Sequence, residues 1–415
     1  MSGVVMHHGR QPQEIASAGE QLGDGAVDSA AHVSRRALLG TGASAVVALS
    51  VGMAGPANAE STSSGTSCGE VPFGPLIVDD PGPGASYARA VRLSGPGPGR
   101  PGTILATFQQ FGRPGFPIFR SDDDGHTWSQ QGNVPNTGEA AGVWLQPFLY
   151  ELPRAFAGLP KGTVLCAGNS LGDFSSTSIE LYASTDQGMT WQFLSTVAEG
   201  GAPVPENGHT PVWEPFLLLH RDRLICYYSD QRDPKYGQKL AHQTSRDLRH
   251  WGPVVNDSVG TDYSQRPGMI TVAQVHDSMW IMTHEAGGDS GDNFYAVHYK
   301  MARDPESFGS AVEHVLHDQD GYIPSAAPVV SWSPSGGPAG TIVVTANSDQ
   351  DFFINRALGD PGKWTRLSSV MPGGYSRFTI PLASSGSWSR TGLVFVVTGP
   401  YYGDQGPIQA GVVQL

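Results

Sequence analysis

The chain has 415 residues, of which 54 are Gly and 32 are Pro; only 15% are charged and the formal charge is −13. So many chain breakers with so few charges exclude a long-helix or coiled-coil protein and point to an all-β chain of short strands and turns. The acidic balance argues against a nucleic-acid or anionic-membrane partner and suits a neutral substrate.

In chain order the first feature is an address. Ser34-Arg35-Arg36-Ala37-Leu38-Leu39 opens a run of small and apolar residues that ends at Ala57-Asn58-Ala59. Twin arginines ahead of a modest apolar stretch and an A-x-A site resemble a Tat export signal cut after Ala59, so secretion is expected; a membrane anchor is the weaker reading. This assigns residues 1–59 to a removed leader, 60–74 to a flexible segment and 75–415 to a single domain. Cys68, Cys166 and Cys226 are an odd set without metal-ligand spacing, and the last two lie in apolar runs where buried core thiols are expected.

From there the chain repeats. Apolar runs opened by polar residues recur as SYARAVRL, WLQPFLYEL, VWEPFLLLH, SQRPGMITV, YIPSAAPVV and YSRFTIPL. Arg89, Gln146, Glu214, Arg266, Pro324 and Arg377 mark six units. A second apolar run follows in each: TILATFQ, TVLCAGN, RLICYYSD, MWIMTHE, TIVVTAN and LVFVVTG. The box S-x-D-x-G-x-T-W then appears at 121–128 and 184–191, degrades to SRDLRHW at 245–251, and fades to ARDPESF and GDPGKW. With one further run before each box and one after it, every unit holds four antiparallel strands, which predicts a six-bladed β-propeller. The last unit lacks room for a fourth strand, and PLIVDD (75–80) is expected to supply it and close the ring.

In each box the Asp (Asp123, Asp186) is expected to bond the amides of its own turn, with Gly allowing positive φ and Trp packing between sheets. Asp122 and Asp124 are expected to be solvated. The spacing runs on to Trp128 rather than to a ligating Glu, so no calcium is expected there. The boxes resemble the Asp boxes of sialidases and BNR-repeat propellers, an architecture that does not by itself fix a reaction.

On a propeller the chemistry belongs at the rim where first strands start and second strands end. Starts present Tyr87 and Arg89, Gln146, Glu214, Arg266, Tyr322, Tyr375 and Arg377; ends present Gln109, Asn169, Asp230, Glu285 and Asn347. Of these, Tyr87, Arg89, Gln146, Asn169, Asp230, Arg266, Tyr322, Tyr375 and Arg377 are expected to bind a polyol substrate. Glu214 and Glu285 fall on neighbouring blades, and a pair of carboxyls is the minimum apparatus for glycoside hydrolysis. Glu214, between Trp213 and Pro215, is expected to be partly desolvated and so to favour the protonated form. Asp230 is a third candidate. Ion pairs with rim arginines are the alternative for each glutamate. GPGPGRPG (95–102) precedes no helix and is no phosphate cradle. No cofactor and no metal are called for, and the expected partner is an oligo- or polysaccharide bound by a monomer.

The order Y-x-R, W-E-P-F, Q-R-P-G and H-E on such a propeller resembles the glycoside hydrolase family 93 exo-arabinanases. The resemblance implies a retaining enzyme that releases arabinobiose from α-1,5-L-arabinan, with Glu214 as acid/base and Glu285 as nucleophile. A sialidase is the rival enzyme, with Arg89, Arg266 and Arg377 as its arginine triad. A glycan-binding propeller without catalysis is the alternative outside enzymes; convergence of Glu214 and Glu285 in one pocket separates it from the other two.

Overall fold

The computed structural model describes residues 72–415 except 95–101, 112, 114, 136–142, 172–173, 277, 288–294, 383–391 and 402–403. The export motif, Cys68 and nearly all of the GPGPGRPG loop lie outside the described residues.

Among the described residues, six four-stranded antiparallel sheets account for all 24 strands. Blade I holds β2 (Ala85–Arg92), β3 (Ile104–Gln110), β4 (Phe116–Ser121) and β5 (Ser129–Val134). Blade II holds β6 (Val143–Glu151), β7 (Val164–Ser170), β8 (Thr177–Ser184) and β9 (Gln192–Gly200). Blade III holds β10 (Val212–His220), β11 (Arg223–Asp230), β12 (Lys239–Ser245) and β13 (Val255–Val259). Blade IV holds β14 (Arg266–Val275), β15 (Met279–Gly287), β16 (Ala296–Ala302) and β17 (Glu313–Val315). Blade V holds β18 (Val329–Ser333), β19 (Thr341–Thr345), β20 (Phe352–Asn355) and β21 (Trp364–Leu367). Blade VI combines β22 (Phe378–Pro381), β23 (Leu393–Thr398) and β24 (Ile408–Gln414) with β1 (Phe73–Asp79), in the order β1-β24-β23-β22. The ring therefore closes as PLIVDD predicts, from a strand that begins two residues before Pro75.

Second strands are buried on both faces, because each blade is sandwiched between two others; β3, β7 and β19 are buried throughout. This is why those runs read as continuous Val, Ile, Leu and Ala rather than as alternation. Cys166 and Cys226 are part of this packing, buried and free.

The Asp boxes sit between third and fourth strands, at the periphery. Asp123 accepts from Thr127 N (2.9 Å), Thr127 Oγ1 (2.6 Å) and Ser121 Oγ (2.7 Å). Asp186 repeats the pattern with Thr190 and Ser184. Gly125 and Gly188 have φ of +101° and +93°, and Trp128 packs against Phe395 of blade VI, 6.1 Å between ring centroids. One expectation fails here. Asp124 is not solvated but buried, accepting from Gly102 N at 2.7 Å and pairing with Arg92 at 3.3 Å, because its own φ of +56° turns the side chain inward. The faded boxes ARDPESF and GDPGKW occupy equivalent corners of blades IV and V as single 3-10 turns (Phe308–Ser310 and Pro361–Lys363).

Candidate active site

Every blade carries left-handed non-glycine backbone in, or just before, its innermost strand: Tyr87 (φ 55°), Gln146 (59°), Glu214 (62°), Met269 (57°), Ala326 and Ala327 (63° and 49°) and Ser376 (56°). In blades I to IV the register with the second strand slips at this point, so the residue belongs to a β-bulge. A bulge re-aims one side chain out of the strand's alternation, here toward the propeller axis. Such backbone costs on the order of 1 kcal/mol or more per residue and persists where its surroundings determine it.

The surroundings are a relay of hydrogen bonds between blades. Gln146 N donates to Gln109 Oε1 (2.8 Å), Glu214 N to Gln146 Oε1 (3.0 Å), Met269 N to Glu214 Oε2 (2.8 Å) and Ala327 N to Glu285 Oε2 (2.7 Å). Four of these amides are thus satisfied by a side chain of the preceding blade. In two steps the acceptor is an amide; in the other two it is a carboxylate. A small apolar cluster of Tyr87, Met269, Ala327 and Tyr375 brings side chains of blades I, IV, V and VI together across the axis.

Glu214 and Glu285 meet across one peptide unit. Glu214 Oε2 takes the Met269 N–H, while Glu285 Oε1 lies 3.4 Å from where a Cβ on Gly268 would sit. Neither glutamate is in an ion pair among the described residues. Burial raises the pKa of Glu214 above its ordinary 4.5, an effect opposed by hydrogen bonds from Ser229 Oγ (2.6 Å) and Met269 N and by the charge of Arg266. Burial and the neighbouring charge of Glu214 push Glu285 up to about 8, with only the Ala327 amide and Arg266 opposing. Arg266 is held by the amide oxygens of Asn207, Gln231 (3.2 Å) and Gln238 (2.9 Å), so no carboxylate neutralises it directly.

Of the residues expected to bind substrate, Tyr87, Gln146 and Arg266 are gathered around the two glutamates, and Tyr375 packs beside Tyr87 with its hydroxyl 3.4 Å from Met269 Sδ. Others are engaged in structural contacts instead, and for Asp230 strand register explains why. Asp230 follows Ser229, the residue paired with Trp213 beside the Glu214 bulge. A shift of one residue puts a strand side chain on the opposite face. There Asp230 is clamped by Arg232 at 2.8 and 3.0 Å. Arg89 and Arg377 are 2% and 1% exposed. Arg89 donates to the Ser376 carbonyl and hydroxyl, and Arg377 to the carbonyls of Gln350, Asp351, Met371 and Pro372. Both arginines are struts between chain segments, which removes two members of the arginine triad a sialidase would use. Asn169 is a buried strut too, bonding Val212 O and Gln146 Oε1. Tyr322 is exposed over blade V and bonds Asp349. Among the unit markers, Pro324 and Arg266 are each displaced by three residues from the bulge positions Ala327 and Met269.

Sequence reasoning missed Ser229, a small hydroxyl at a strand end with no compositional signal. It also missed Tyr295, which feels the charges of Glu285, Arg266 and Glu214. Among the described residues one triad of metal-type side chains spans β15, β16 and β17 of blade IV: His284, His298 and Glu313, with candidate ligand atoms within 4.8 Å of one another. Lys300 Nζ lies 3.1 Å from Glu313 and Ser258 Oγ 2.7 Å, so the carboxylate already has a cation and a donor.

A propeller axis with an apolar cluster across it, flanked by two desolvated carboxyl groups, defines a glycoside hydrolase of the Asp-box propeller class. No family model matches the sequence, and no curated protein does. Solved structures do. An α-L-arabinofuranosidase of family GH93 from Fusarium graminearum, solved with arabinobiose, is 38% identical over 83% of this chain and 98% of its own, with a TM-score of 0.76. An α-L-arabinanase from Penicillium chrysogenum, also complexed with arabinobiose, is 37% identical over 83% and 99%, with a TM-score of 0.77. The NanB sialidase of Streptococcus pneumoniae, 9% identical over 82% of this chain and 70% of its own with a TM-score of 0.54, shares the fold alone. The chain belongs to glycoside hydrolase family 93.

Proposed function

We propose that this protein is a secreted exo-arabinanase that releases arabinobiose from α-1,5-L-arabinan with retention of configuration, using Glu214 and Glu285. The observation that carries the reading is the convergence of both glutamates on the Gly268–Met269 peptide. Glu214 on the Met269 amide and Glu285 beside Gly268 place both carboxyls at one chain segment, which favours the short separation of a retaining pair, about 5–5.5 Å, over the roughly 6.5–9.5 Å of an inverting one. Exo action is supported by the apolar cluster across the axis, which admits a chain end more readily than a chain passing through. Arabinobiose as product is supported by the two relatives solved with it, and secretion by the twin-arginine segment alone.

The hydrogen bonding favours the opposite division of labour from the one the resemblance implies. Glu214 receives two donors, Ser229 Oγ and Met269 N, which stabilise a carboxylate; Glu285 receives one. The proton of the pair therefore rests on Glu285. In this division Glu214 attacks the anomeric carbon through Oε1 while Glu285 gives its proton to the departing glycosidic oxygen. Glu285, now ionised, then takes a proton from the water that cleaves the glycosyl ester, and both groups return to their starting states.

The test is turnover of debranched arabinan beside a sialoside, with Glu214→Gln and Glu285→Gln as controls. Arabinobiose from the parent and its loss in both variants are expected; sialic acid as the product, or no product, overturns the reading. Aryl arabinosides whose leaving group needs no proton separate the roles. Glu285→Gln should still form the glycosyl-enzyme from them, whereas Glu214→Gln should not.

A further inference from the structure

On blade IV, paired residues of neighbouring strands project from the same face of the sheet. Gly268 stands opposite Glu285, and Arg266 opposite Gly287. Continuing the register from Ala286↔Ala296 brings Tyr295 opposite Gly287 on its other side. Glu285, Arg266 and Tyr295 thus share one face, and the two positions between them are glycines. The ring of Tyr295 lies over Gly287, where an added Cβ would meet Tyr295 Cε1 at 2.2 Å. The backbone is fixed as well. Ala326 N donates to Tyr295 O at 2.8 Å while its neighbour Ala327 N donates to Glu285 Oε2 at 2.7 Å. Two consecutive amides of blade V, both on left-handed residues, therefore hold Tyr295 and Glu285 in one frame.

We propose that Tyr295 is a further substrate-binding residue of the reacting centre, seated by Gly287, whose phenol hydroxyl donates a hydrogen bond to a hydroxyl of the sugar held between Glu214 and Glu285. The inference rests on the glycosidase reading above. The phenol is only partly buried, which leaves it within reach of a ligand. A sugar hydroxyl supplies an acceptor for it. Gly287 is then a specificity element in its own right, since any side chain there would drive the ring off its seat.

Kinetics on linear α-1,5-arabino-oligosaccharides test this with Tyr295→Phe and Gly287→Ala beside the parent, melting temperatures being measured for all three. Tyr295→Phe is expected to melt as the parent does and to lose about ten- to a hundredfold in kcat/KM, the scale of one hydrogen bond to a desolvated partner. Gly287→Ala is expected to lose at least as much, with KM raised because the ring is displaced. An active parent with both variants unchanged in kcat and KM overturns the role of Tyr295 and leaves the glycosidase reading standing. An inactive parent overturns the glycosidase reading and the role of Tyr295 with it.

Discussion

Two neighbouring carboxyl groups shielded from water do not readily ionise together, so the partner with more hydrogen-bond donors keeps the charge. That partner is Glu214, with its serine hydroxyl and backbone amide. The pair should give a bell-shaped dependence of kcat/KM on pH. Its acidic limb falls above 4.5, where Glu214 must ionise, and its alkaline limb lies near 8, where Glu285 loses its proton. The same shift has a consequence for stability. The folded state binds the Glu285 proton more tightly than the unfolded chain does, so its contribution is complete below pH 4.5 and is lost as pH rises toward about 8. Glu285→Gln should therefore gain in melting temperature relative to the parent across that window; parallel pH profiles of melting would contradict the shift. Both glutamates were legible in the sequence because a lone Glu in an apolar strand has few structural reasons to be there. Asp230, Arg89 and Arg377 looked equally placed, but a strand's two faces differ by one residue, and a bulge that shifts register leaves no mark in composition.

At the scale of elements, the repeated bulge and its interblade hydrogen bond connect fold to site. Gln146 stands at the step before Glu214 and holds the Glu214 amide. Gln146→Ala should cost about 1–3 kcal/mol by leaving that amide unpaired, and should lower kcat as well, because the Glu214 backbone loses its anchor. Asp123→Ala removes the centre of a peripheral turn and should cost a similar amount, about 1–3 kcal/mol, with kcat/KM unchanged. Chemical denaturation and kinetics on the same samples check the pair; a kinetic effect of the peripheral change, or none of the central one, would contradict the division. Strand number and order could be read from the repeats because second strands buried on both faces are unbroken apolar runs. The bulge positions could not, since Tyr87, Gln146, Glu214, Met269, Ala327 and Ser376 share backbone conformation and no chemistry.

For the whole molecule, six blades closed by β1 make a ring with an apolar cluster of Tyr87, Met269, Ala327 and Tyr375 across its axis. The count and the closing strand were legible from the Asp boxes and from the short last unit. The cluster was not, because it depends on which side chains the bulges aim inward. An apolar cluster across the axis beside paired carboxyls predicts attack from a chain end, so arabinan viscosity should fall slowly relative to the reducing ends released. The most direct single measurement is the proton NMR spectrum of the first product formed from debranched arabinan. Arabinobiose appearing first as the α-anomer and only later equilibrating is the expected result. First appearance of the β-anomer, or of a ladder of longer oligosaccharides without arabinobiose, would contradict an exo-acting double displacement by Glu214 and Glu285.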